Sequence, residues 1–295
     1  MFVNTFKKHK RNSPEGFRYR GRKGSRLENL TDTIFGFSIT LLIVATEVPK
    51  TYLQLQTSMY SFIGFIFSSM LLLGIWNNHR SFFLHYGLHN KFTRTLNFLF
   101  LFVLLFYIYP LKYLFSYVGT GIYAAIKMRF GDTSTGLKLA YGELANADMN
   151  QDQWVDLIVR FGLGLLCIYA IFTFLHINAL KNRKLLKLNK REMFITRSFI
   201  YAYTILCAIS ILSIAVVGFF GGAYAPHAGF VYLLTPIAIP IFRSIRSKKL
   251  KTKVWKKNKV KKLFPVEIED EVITSDEITN NTTEAEADIE GKNKL

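Results

Sequence analysis

Apolar residues in this chain come in long blocks rather than in isolated faces. Six blocks, at about 30–48, 60–78, 96–118, 155–178, 194–219 and 228–242, are separated by clusters of basic residues. A helix needs about 20 mostly apolar residues to cross about 30 Å of hydrocarbon. The pattern therefore predicts an all-α polytopic membrane protein with six transmembrane helices. Pro110 lies inside the third block and predicts a kink there. The sixth block is short and holds Pro236 and Pro240, which fits either a span or a broken, re-entrant segment.

The basic clusters orient the blocks. Nine Lys or Arg precede the first block, from Lys7 to Arg26. Arg80, Lys91 and Arg94 lie between the second and third blocks, and Lys181 to Arg191 supplies six more between the fourth and fifth. Eleven follow the sixth block between Arg243 and Lys262. With six spans these clusters fall on one side, so both termini are expected in the cytoplasm. The first block has no small-residue cleavage site after its long basic leader, so it is expected to stay in the membrane.

Three segments follow from this reading. Residues 1–29 form a basic cytoplasmic N-terminal segment, 30–243 the six-helix membrane domain, and 244–295 a charged cytoplasmic tail. Within the membrane domain, 119–154 reads as a long outer loop. Its Asp148–Asp152 stretch resembles part of a calcium loop but lacks the central Gly and terminal Glu of an EF-hand. The tail turns from basic to acidic, with ten Asp or Glu between Glu267 and Glu290 and few large apolar residues, which predicts disorder.

Composition narrows the classes. Half of the residues are hydrophobic and 15% aromatic, which excludes a disordered chain and argues against a soluble enzyme. The net charge of +18 flanks apolar blocks. Topology and the anionic cytoplasmic leaflet account for it better than nucleic acid does. Cys167 and Cys207 sit inside apolar blocks and read as small packing residues, so no metal or cofactor is expected.

One set of polar residues stands out. Asp32 lies near the cytoplasmic edge of the first span, where an ionised carboxylate is costly unless paired. Arg26 is six residues earlier and faces away from it on an ideal helix, so a partner must come from another helix. Trp76 and His79, at i and i+3, close the second span at the same end. Indole and imidazole N–H groups suit a carboxylate. A cluster of Arg26, Asp32, Trp76 and His79 at one depth is therefore expected.

Arg26, Leu30-Thr31-Asp32, Thr40-Leu41-Leu42, Trp76, His79 and the run Leu96-Asn97-Phe98-Leu99-Phe100-Leu101 together resemble the transmembrane protein 175 family. That family comprises the endosomal and lysosomal potassium-permeable channel and its prokaryotic homologues. The resemblance spans roughly Arg26 to Pro110. It implies a pore lined by the first helix and, with one six-helix unit per chain, a homotetramer. It also implies a constriction of bulky apolar side chains, at the position five after the motif Asp, here Phe37. Thr31 replaces the family's Ser and keeps its hydroxyl, Leu30 replaces Phe, and Phe37 replaces a branched aliphatic residue.

Helical spacing places Phe37, Leu41 and Val44 on one face with Thr40 adjacent. By itself such a stripe suits plain packing; with the resemblance it reads as a pore face. Arg26, Thr31, Asp32, Trp76 and His79 then form a structural network rather than ion ligands. The expected function is passive, potassium-permeable conduction through a hydrophobic neck, with selectivity from the cost of stripping water and with possible proton leak. Permeant K⁺ replaces any cofactor, and no enzymatic role is expected, since His79 and Asp32 alone supply no reaction. The alternative is a secondary transporter for an unidentified small solute or ion. The resemblance places the protein in the plasma membrane of a prokaryote.

Overall fold

The structure is a computed structural model that describes residues 17–21, 24–44, 49–60, 62–131 and 150–224, with scattered positions from 134 to 142 and from 228 to 248. The chain divides into two compact units, Met1–Ser247 and Lys248–Leu295. Apart from Lys248, the second unit lies outside the described residues, and so does the expected acidic tail.

Among the described residues the first unit holds six α-helices: α1 Arg26–Val44, α2 Tyr52–Tyr60, α3 Phe62–Tyr86, α4 Lys91–Arg129, α5 Gln151–Lys181 and α6 Lys190–Phe220. Among the described residues, α3 to α6 are long and apolar enough to cross a membrane. α1 has 19 residues but carries Arg26, Glu28 and Asp32, together with four Ser or Thr, which lowers its apolar content.

Several boundaries differ from the sequence expectation, each for a local reason. α1 opens at Arg26 rather than near residue 30. Ser25 Oγ accepts from Glu28 N (3.2 Å) while Glu28 Oε1 accepts from Ser25 N (3.1 Å), a reciprocal cap that fixes the start. α3 runs on to Tyr86 because Phe82, Phe83 and Tyr86 bury their rings at its C-terminal end. α4 is the largest departure. It continues to Arg129, so the outer segment expected over 119–154 is helical for its first third. Packing keeps it wound there: Ala124 is fully buried and the Tyr123 ring stacks on Tyr60 at 5.0 Å. The backbones of α3 and α4 touch at Gly64 and Gly119, where an added Cβ on either would strike the other helix. Small residues allow such close approach between membrane helices.

Asn side chains cap three helices. Asn90 caps α4 by accepting from Thr93 N, Asn150 forms a capping box with Gln153, and Asn189 forms one with Glu192. Pro110 lies within a continuous α4. The expected sixth span contributes the 3₁₀ turn Val231–Leu234 and short helical pieces among its described residues; Pro236 lies outside them.

α5 and α6 form the most extensive helix pair, and α4 packs against α5 and α3. Their core is aromatic. Phe172 stacks on Tyr203 at 5.2 Å and leans on Phe100 at 5.5 Å. His176 is buried among Phe82, Tyr86, Phe199 and Tyr203. Its Nδ1 pairs with the Phe172 carbonyl at 2.8 Å, one turn back. Asn178 is buried and donates to Asn90 Oδ1 and Thr93 Oγ1.

Candidate pore helix and its polar support

α1 has two unlike faces. Thr31, Phe35, Ser38 and Leu42 recur at i, i+4, i+7 and i+11, and all four are buried. That face lies on α3 and α4. On the other side Phe37 is 56% exposed in the single chain, with Thr33, Gly36, Thr40 and Ile43 also exposed. Phe37 and Thr40 thus share the open face, while Leu41 stands at its edge. The Val44 side chain lies outside the described residues. The hydroxyls along α1 fold back onto its own backbone: Thr33 donates to Asn29 O, Ser38 to Ile34 O and Thr40 to Gly36 O. Each hydroxyl oxygen keeps acceptor capacity for another group.

The buried face is held by polar bonds. His79 Nε2 and Asn97 Oδ1 are 2.6 Å apart, and Asn97 Nδ2 donates to Thr31 Oγ1 at 3.0 Å. Thr31 Oγ1 itself donates to Leu27 O at 2.9 Å. The directions follow in order. Thr31 spends its hydrogen on Leu27, so it accepts from the Asn97 amide. Asn97 Oδ1 is then left to accept from a hydrogen on His79 Nε2. Thr31, Asn97 and His79 are all buried. One chain of hydrogen bonds therefore ties α1, α4 and α3 together. The imidazole is fixed from both sides, with Phe100 stacked at 5.2 Å and Phe83 at 4.8 Å.

Asp32 is held separately. Trp76 Nε1 donates to Asp32 Oδ1 at 2.8 Å, and the Arg80 guanidinium lies 5.5 Å from the Trp76 ring centroid. The structure thus brings Thr31, Asp32, Trp76 and His79 to the same end of the bundle but in two pieces. His79 meets Asn97 rather than Asp32. Arg26 stands apart: it is exposed, and no hydrogen bond or ion pair involves it among the described residues. Six residues of helix turn it about 120° away from Asp32, which explains the separation.

Asn97 is the residue whose role sequence reasoning did not assign. Its signal was visible as a lone amide inside an apolar run, where a polar group must find a partner.

The matches to known proteins fall on these elements. A family model described as the endosomal/lysosomal potassium channel TMEM175 matches residues 26–107, which contain α1, α3 and the Asn97 half of α4. A protein from Marivirga tractuosa named "Potassium channel" is 37% identical over 239 residues, covering 79% of this chain and 92% of its own. The chain belongs to the TMEM175 family. A crystal structure of the potassium channel MtTMEM175, a threonine-to-alanine variant bound to a nanobody–MBP fusion, superposes with a TM-score of 0.66. It is 32% identical, and the match covers 80% of this chain and 99% of that one. With four described helices fit to cross a membrane, this TMEM175 member is an integral membrane protein.

Proposed function

We propose that this protein is a potassium-permeable channel that conducts passively through a pore lined by α1. The observation that carries the reading is the two-faced α1. One face is locked by hydrogen bonds to α3 and α4, and the opposite face, with Phe37 and Thr40, is open in a single chain. Family membership and similarity to proteins named as potassium channels support it.

Four copies around one axis would turn the open faces inward, each chain contributing six membrane spans. The Phe37 rings then form the constriction, flanked by Thr40 and Leu41, with Val44 farther along the same helix. A rise of about 1.5 Å per residue puts Thr40 about 4.5 Å beyond Phe37 along the axis. A cation that sheds water at the apolar ring meets hydroxyl oxygens within that distance. Selectivity arises from the cost of dehydration, and the neck can close by dewetting. Arg26 and Asp32 stay out of the ion path and serve the scaffold. Both termini face the cytoplasm of a prokaryote, with the basic segments on the anionic leaflet.

Purified protein in liposomes with opposed K⁺ and Na⁺ gradients tests the reading. Passive, non-saturating, K⁺-preferring flux is expected. Phe37→Ala should raise flux about tenfold, equivalent to removing roughly 1.4 kcal/mol from the barrier, and should weaken the preference for K⁺. Saturable, gradient-coupled uptake would instead identify a transporter, and unchanged flux in Phe37→Ala would remove that ring from the constriction.

A further inference from the structure

The segment Phe17–Gly21, just ahead of α1, is strapped across the cytoplasmic ends of α3 and α6. The backbone N–H groups of Arg20 and Gly21 both donate to Leu84 O at 3.1 Å. Phe17 is buried, with its ring edge-on to Tyr86 at 5.4 Å. At Gly21 an added Cβ would strike the Phe83 carbonyl oxygen, so the strap needs glycine at this crossing.

Its main fastening is Glu192, in the first turn of α6. Arg18 donates to Glu192 Oε1 through its backbone N–H (3.0 Å) and Nε (3.1 Å), and to Oε2 through Nη2 (3.1 Å). Arg20 Nη2 donates to Oε2 at 2.7 Å, and Asn189 N donates to the same oxygen at 3.0 Å. Both arginines also reach the α5–α6 connection, Arg18 at Lys187 O (2.6 Å) and Arg20 at Leu186 O (2.8 Å). The Glu192 side chain is fully shielded from solvent. Removing the partners of a buried charge costs far more than forming the pair returns.

The docked strap sits next to α1. Gly21 and Ser25, the α1 cap, are four residues apart, so the chain between them reaches at most about 14 Å. The foot of α1 is on a short leash to α6, a helix that does not pack on it in the described contacts. Glu28, in the first turn of α1, lies 3.9 Å from His89 Nε2, within ion-pair reach when that imidazole is protonated.

We infer that Glu192, with Arg18 and Arg20, is a positioning residue for α1: it fixes the cytoplasmic end of that helix and so sets the fraction of time the pore is open, without touching the ion. This rests on α1 lining the pore.

Single-channel recording of Glu192→Gln, Arg18→Ala and Arg18→Lys tests it. Open probability should change at least about threefold in the first two, with unitary conductance unchanged, and Arg18→Lys should stay nearer the parent. Arg18→Ala guards against misfolding of the Glu192 variant, since half of its side chain is already exposed. Unchanged open probability in an assembled Arg18→Ala channel would overturn the inference, as would altered unitary conductance. Amide hydrogen exchange gives a readout independent of conduction. Residues 26–34 should exchange faster in both variants while α5 keeps its protection; equal protection of α1 overturns the inference. If the parent passes no K⁺, the pore reading falls, and exchange alone decides whether the strap positions α1.

Discussion

α1 and the α5–α6 pair belong to one bundle, yet different forces hold them. α5 and α6 interlock by shape. Phe172, His176 and Tyr203 pack ring on ring, and Gly162 lies where a Cβ would crowd Ile214 and Tyr232. α1 packs along one face only, and that face is pinned by Thr31 to Asn97 and by Asp32 to Trp76. In a membrane, lipid tails are as apolar as leucine, so apolar area does not drive helices together; close packing and interhelical hydrogen bonds do. The pair uses the first means and α1 leans on the second. A helix held by a few directional bonds is easier to shift without unfolding the rest. Such a hold suits an element that must move relative to a rigid frame.

The sharpest break of this contrast is Phe172→Ala. The ring is fully buried between Phe100 and Tyr203. Truncating a buried Phe costs roughly 3–5 kcal/mol through lost contacts and a residual cavity. We expect the largest loss of the series in a detergent unfolding midpoint, with unitary conductance of the surviving channels unchanged. A loss below about 1 kcal/mol would mean that the pair is not held by shape.

Asn97→Ala attacks the other kind of hold. It removes the bridge between His79 and Thr31 and leaves two buried polar groups short of a partner. Orphaned buried groups cost about 1–3 kcal/mol. Because α1 is the element released, conduction should change along with stability, unlike in Phe172→Ala. A stability loss with conduction unaltered would show that the α1 position does not depend on this chain of bonds.

How far these features were legible in the sequence divides along the same line. Long apolar blocks and Asn caps report local physics, and the cores of the α3, α4, α5 and α6 spans follow from them. The pairing of Asp32 with Trp76 was readable because few donors occur at that depth. The extension of α4 to Arg129 was not, because Gly119 and Gly121 read as a break until Gly64 is placed against Gly119. Glu192 was hidden for another reason. It sits in a basic run, Lys190-Arg191-Glu192, where charge counting reports only the side of the membrane. The arginines that bury the carboxylate lie more than 170 residues away in the chain. His79 was placed near Asp32 by depth alone, and depth does not choose between two acceptors.

The smallest effect is expected at Asp156, near the N-terminal end of α5. Arg160 Nε donates to Asp156 Oδ2 at 2.6 Å, a shorter contact than any made by Glu192. Distance alone would rank it first. Both side chains, however, are more than half exposed in the single chain, at 57% and 61%. Water and salt screen such a pair, and a one-turn contact joins only residues that the helix already holds together. Asp156→Asn should therefore leave the unfolding midpoint within about 2 °C of the parent. A larger drop that vanishes when the protein is dissociated to single chains would show that a neighbouring copy covers this end of α5. It would then extend the contrast from one chain to the assembly: a surface pair in the protomer would be a buried one in the channel, and its cost would follow burial, as it does at Glu192, rather than length.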